Sequence, residues 1–174
     1  MSPFTVDRRV FKFSILTVIA LVATSAALAD GNDKAVDDLA NKAQIALSSG
    51  KPDEAISILR RAIDAAPNRA DLYLLRSRAR DSAGKFDGAL EDATRYIELK
   101  PEEPYGYLSR ARVYMSMEKH ALALADANKA ISLAPGESDG YLRRADIYAD
   151  MGKESEAKAD EAKAEEIDRR AAVR

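Results

Sequence analysis

The sequence has no cysteine and a single histidine, His120. Absence of cysteine removes disulfides, thiolate metal sites and any lipid-bearing cysteine behind the N-terminal apolar run. With one histidine, neither a histidine-based zinc site nor a Ser-His-Asp triad can be assembled. Glycine is scarce, 8 in 174 residues, and dispersed, so no GxGxxG or GxxxxGK-Ser/Thr phosphate loop exists. Proline is scarcer still at 6. The net charge of −2 gives no basic footprint for nucleic acid or for an acidic membrane.

What is present favours helices: the chain is alanine-rich and 32% charged. Its length suits one domain with a continuous core. Arg8, Arg9 and Lys12 precede an uncharged run from Phe13 to Ala29 that turns small and mildly polar before Ala27-Leu28-Ala29. Asp30-Gly31-Asn32-Asp33 then turns abruptly polar. This is the layout of a secretory signal peptide over residues 1–29, cut after Ala29. The run is short and weak in leucine for a retained anchor in a bilayer of roughly 30 Å. Export without cysteine suits a periplasmic or secreted chain with no membrane association after cleavage.

From there the chain repeats. Pro67, Pro101 and Pro135 are spaced by 34 residues, and so are Ala55, Ala89, Ala123 and Ala157. A strict period in this range marks a repeat array, in which each unit buries its apolar face against its neighbours. Each unit breaks into two helical segments at a turn signal: Gly50-Lys51-Pro52-Asp53, Gly84-Lys85 and Gly152-Lys153. The third unit has Met117-Glu118-Lys119 there, so a residue with a side chain stands where positive φ costs energy. The closing prolines stop the second helix of each unit.

With several positions matched per unit, the pattern resembles the tetratricopeptide repeat family. Its small residues fall on Ala43, Ser77, Ala111 and Ala145, on Ala55, Ala89, Ala123 and Ala157, and on Ala62, Tyr96, Ala130 and Ala164. The resemblance implies an all-α fold, an α-solenoid wound as a right-handed superhelix of four helix-turn-helix hairpins. A polar linker at 30–35 leads to a repeat domain at 36–168, with units near 36–69, 70–103, 104–137 and 138–168, and the end at 169–174 frays. Tyr96 puts a ring where alanine is usual, which predicts looser or shifted packing between units two and three. Glu161 and Glu165 replace the apolar residues of earlier units and make the last helix a polar cap.

A second periodic set lies outside that frame. Arg76, Arg110 and Arg144 recur every 34 residues, as do Asp92, Asp126 and Asp160, while unit one has Lys42 and Ile58 instead. An arginine cluster for an anionic ligand is one reading. The favoured one is a bidentate arginine–carboxylate bond tying the two helices of each hairpin. Glu102-Glu103 and Glu165-Glu166 read as solvated faces rather than a catalytic pair, and His120 as a partly exposed filler at a corner. No catalytic, cofactor or metal residue is expected, so the chain is not read as an enzyme.

The resemblance further implies a concave groove lined by the first helix of each hairpin. Here its positions give Gln44, Leu74, Arg78, Tyr105, Leu108, Arg112, Met115, Leu142 and Asp146, with Asp37, Asp71, Asp139 and Asp150 at the rim. The Lys/Asn and Lys/Arg set by which some relatives clamp a C-terminal carboxylate is absent. Three leucines in register beside two arginines make a patch of the kind that marks an interaction site. The expected function is a periplasmic scaffold binding a protein or peptide segment with apolar side chains and one carboxylate between Arg78 and Arg112. The alternatives are a self-associating structural protein, paired through Val36, Leu39 and Ala43, and an accessory subunit of an envelope complex. The groove-binding form is expected to be a monomer.

Overall fold

A computed structural model describes residues 33–173, so the expected signal peptide lies outside the described residues. The chain divides into two compact units, Met1–Asp38 and Leu39–Arg174. Of the first, residues 33–38 are described, and they are helical. The helix they begin, α1, spans 33–48 and takes in part of the segment expected as linker. Seven more helices follow: α2 (Pro52–Ala65), α3 (Ala70–Ser82), α4 (Phe86–Leu99), α5 (Pro104–Ser116), α6 (His120–Leu133), α7 (Asp139–Asp150) and α8 (Glu154–Ala172). No strand occurs among the described residues. No described helix is long and apolar enough to cross a membrane.

One turn, used four times, makes the hairpins. The lysine two residues past each first helix donates its amide five residues back: Lys51 to Ala46, Lys85 to Arg80, Lys119 to Tyr114 and Lys153 to Tyr148, all at 2.8–2.9 Å. The residue before it sits in the left-handed region: Gly50 (φ 70°), Gly84 (70°), Glu118 (58°) and Gly152 (72°). This is the Schellman closure, in which a missing Cβ removes the penalty of positive φ. Glu118 adopts the same conformation without that relief. Between hairpins the chain turns over Pro67, Pro101 and Pro135, where the amides of Arg69, Glu103 and Glu137 donate to the carbonyls three residues earlier. In the fourth unit Arg169 stands in place of proline, and α8 continues to Ala172 instead of ending near Asp168. Lys163 and Arg170 both pair with Glu166 along that last stretch, which supports the extra turn.

Within Leu39–Arg174 each helix packs on the next, and the first helices of successive hairpins also touch, α3 on α5 and α5 on α7. Among the described residues the second helices do not touch one another. The first-helix side of this unit is therefore its closed, inner side. Alanine makes the close approach possible: Ala55, Ala89 and Ala123 are wholly buried, and so are Ala43, Ala62 and Ala111. Ser77, the polar exception, donates to the Ala89 carbonyl at 2.8 Å and meets Ser109 Oγ at 3.2 Å. Glu161 and Glu165 are exposed on α8.

The Tyr96 seam is filled rather than loosened. The ring is 5% exposed, and a Cβ at Gly106 would lie 2.6 Å from it and 2.7 Å from Ile97. Loss of one side chain on α5 makes room for a large one on α4, and the Tyr96 hydroxyl donates to Glu103 Oε2 at 2.7 Å. Volume is conserved across the contact, which is the tolerated kind of core change.

The periodic arginines make the expected hairpin bonds. Arg76 donates to both oxygens of Asp92 (2.8 and 2.7 Å). Arg110 does the same to Asp126 (2.8 and 2.9 Å), and Arg144 to Asp160 (2.7 and 2.7 Å). Each guanidinium also lies over a tyrosine three residues earlier, Tyr73, Tyr107 or Tyr141, at 5.7–5.9 Å. Arg110 and Arg144 each reach back across the seam to a polar side chain, Thr94 and Asn128. Arg76 has Arg60 at the corresponding place, and Asp92 instead takes a third bond from Arg80 at 2.9 Å.

Candidate functional site

Two residues along an α-helix turn the side chain by about 200°. Arg78 and Arg112 therefore leave α3 and α5 on the side away from the hairpin bonds of Arg76 and Arg110. Direct contact between successive first helices brings them into one recess. Leu74 and Arg78 come from α3, Tyr105, Leu108, Ser109 and Arg112 from α5, and Arg143 from α7. The recess is about 180 Å³, room for roughly one or two side chains.

Its charges are incompletely matched. Arg112 Nε lies 3.1 Å from Asp81 Oδ2, an approach without hydrogen-bond alignment. Arg112 Nε and Arg143 Nε are buried with no acceptor, and Asp81 Oδ1 is buried with no donor. Arg143 binds Asp146 at 3.0 Å through Nη1. Arg78 is exposed and has no ion pair or hydrogen bond among the described residues. Burial pulls the Arg112 pKa below the ordinary guanidinium value; Asp81 opposes that shift, and the neighbouring charges of Arg143 and Arg78 add to it. The hairpin arginines go the other way: their bonds to Asp92, Asp126 and Asp160 raise Arg76, Arg110 and Arg144 above that value.

A second recess continues the groove through the shared Leu74, with Asn68, Arg69, Asp71, Tyr96, Lys100 and Glu103 around it. There the charges are internally paired: Lys100 donates to Glu103 at 2.9 Å and Arg69 to Asp71 at 2.5 Å.

Of the residues expected to line the groove, the fold brings together Leu74, Arg78, Tyr105, Leu108 and Arg112. Met115 instead packs on the buried Ala123, Ala127 and Ile147, where its flexible chain fills core space. Leu142 is 43% exposed but lines neither recess. Gln44 is exposed on α1, and Asp146 is exposed and held by Arg143. The expected vacancy between Arg78 and Arg112 is modified by Asp81, which already lies against Arg112. Ser109, Arg143 and Asp81 carry no repeat signal: the places 34 residues from Arg143 hold Ser109 and Leu75, and those around Asp81 hold Leu47 and Met115. At the rim, Asp150 accepts the His120 ring at 2.6 Å, so that corner residue links α6 to α7. No group of three or more metal-ligating side chains occurs among the described residues.

Comparison with known proteins agrees with this architecture. No curated protein sequence matches the chain. Among solved structures, a crystal structure of MamA is 25% identical and superposes with a TM-score of 0.65 over 87% of this chain and 87% of that one. TTC0263, a thermophilic protein of the same repeat class from Thermus thermophilus, is 19% identical, with a TM-score of 0.69 over 74% and 72%. The second repeat domain of human RPAP3, in complex with the HSP70 peptide SGPTIEEVD, is 22% identical, with a TM-score of 0.60 over 67% and 97%. Two family models, both described as tetratricopeptide repeat, match residues 41–104 and, as successive units, 105–137 and 138–170. Matched from residue 41 to residue 170, with the hairpins, turns and small-residue seams in the same frame, the chain belongs to the tetratricopeptide repeat family.

Proposed function

We propose that the chain is a non-enzymatic protein-interaction scaffold, exported to the periplasm or secreted, that holds a peptide or protein segment in its first-helix groove. The observation that carries this is the recess between α3, α5 and α7, where apolar and cationic side chains meet in a concavity that folding leaves unfilled. Leu74 and Leu108 are half-buried and Tyr105 is 43% exposed, so apolar surface remains for a partner to cover. Support for export comes from the basic start, apolar core and Ala27-Leu28-Ala29. A domain of the same fold holds a peptide in the RPAP3 complex.

A photo-crosslinking residue at Leu108, compared with one at Leu122 on α6, tests the groove in the native envelope. Capture of a defined protein from position 108 and not from 122 is expected; equal capture, or none from 108, overturns the groove reading. Mass spectrometry of the same material tests export, with a mature chain beginning at Asp30 expected and an intact Met1 contradicting it.

A second reading, self-association, has its own support at the first hairpin. Val36 and Ala43 are wholly buried, so the face expected to pair is closed. Ile45, however, is 64% exposed and shares a recess with Ile58 and Lys42, where later hairpins carry the arginine–aspartate bond. Sedimentation decides: a concentration-dependent dimer favours self-association, a monomer the groove.

A further inference from the structure

We propose that Arg78, Arg112 and Arg143 together take one carboxylate side chain of the bound segment, and that Asp81 sets the preference for that single charge over a dianionic phosphoryl group. The proposal rests on the groove reading and specifies its chemistry. Three helices deliver the three guanidiniums to one recess. Two carboxylates face them, Asp81 at Arg112 and Asp146 at Arg143, so the cluster retains one positive charge. A monoanion balances it; a dianion overshoots while Asp81 is ionised.

The unbound arrangement also leaves hydrogen bonds unmade. Buried polar groups without partners are rare in folded proteins and mark places where a partner is missing. Here two are guanidinium nitrogens, Arg112 Nε and Arg143 Nε, belonging to side chains that line the same recess. An entering carboxylate offers acceptors onto which both guanidiniums can turn, with Arg78 closing from the solvent side. Charge-assisted bonds of this kind are the strong ones. Leu74, Leu108 and Tyr105 beside the cluster take an apolar side chain of the same segment. The binding unit is thus an apolar residue next to an acidic one inside a chain, with no requirement for a free C-terminus.

The three hairpin arginines provide an internal control, because each is already saturated by its own aspartate. The test follows the arginine Nε–H resonances of the intact chain at constant ionic strength. The probes are acetyl-Leu-Glu-Leu-amide and its Gln and phosphoserine counterparts. The Glu peptide should move Arg112 and Arg143 saturably and leave Arg76, Arg110 and Arg144 still. The Gln peptide should bind at least about fivefold more weakly, and Arg143→Gln should remove that difference. Asp81→Asn should strengthen the phosphoserine peptide relative to the Glu peptide. Equal response to Glu and Gln overturns the charge-reading pocket while the groove can still stand. No shift with any peptide also overturns it, and leaves the groove itself to the crosslinking result. An unchanged Glu-to-phosphoserine ratio in Asp81→Asn overturns the role of Asp81.

Discussion

On α3 and again on α5, two arginines stand two residues apart: Arg76 with Arg78, and Arg110 with Arg112. The inward member of each pair closes its hairpin through two bonds to an aspartate whose side chain is 3% or 10% exposed. The groove member meets no such partner: Arg78 is exposed, and Arg112 has one misaligned carboxylate and two cationic neighbours. The same side chain is held above its ordinary pKa on one side of the helix and, at Arg112, below it on the other. Saturated bonds recur with the repeat and serve the fold. Unsaturated ones break the repeat and remain available to a ligand.

The comparison breaks most severely when a saturated bond loses its acceptor. Asp126→Ala should strand the half-buried Arg110 and cost about 2–3 kcal/mol, toward the low end for a buried pair because Arg110 keeps some solvent. Urea denaturation reads this, and Arg110→Met combined with Asp126→Leu should recover most of it. Next comes the fitted seam. Gly106→Ala drives a methyl into Tyr96 and Ile97 and should cost about 1–3 kcal/mol. In a Tyr96→Ala background the same change should cost clearly less, because its principal obstacle is gone. A smaller effect of opposite sign is expected at the third turn. Glu118→Gly relieves a side chain at φ 58° and should stabilise by about 1 kcal/mol, whereas Gly84→Glu should destabilise by a similar amount. The smallest effect belongs to the groove: Arg78→Gln should change stability by no more than about 0.5 kcal/mol.

Periodicity made the scaffold legible. A residue repeated every 34 positions either packs a seam, closes a turn or makes the hairpin bond, and Ala89, Gly84 and Asp126 are examples that needed no coordinates. Tyr96 was visible as a departure, but its consequence was not, because the space for it comes from Gly106 on the facing helix. The groove was half legible. Leu74, Arg78, Leu108 and Arg112 follow from helix position, whereas Arg143 and Asp81 occur once each and acquire meaning only when three helices converge. Met115 shows the opposite error: a groove position by count, it is drawn into the core by the buried surface of Ala123, Ala127 and Ile147.

The most direct measurement sets Arg110→Gln beside Arg78→Gln in one chain and reads both unfolding free energy and crosslinked partner from position 108. Arg110→Gln is expected to lower stability by about 2 kcal/mol, the cost of leaving Asp126 buried without its cation. It should leave capture intact wherever the protein remains folded. Arg78→Gln is expected to leave stability unchanged and to reduce capture severalfold. If Arg78→Gln destabilises as much as Arg110→Gln, or leaves capture untouched, the division between saturated scaffold arginines and open groove arginines is contradicted.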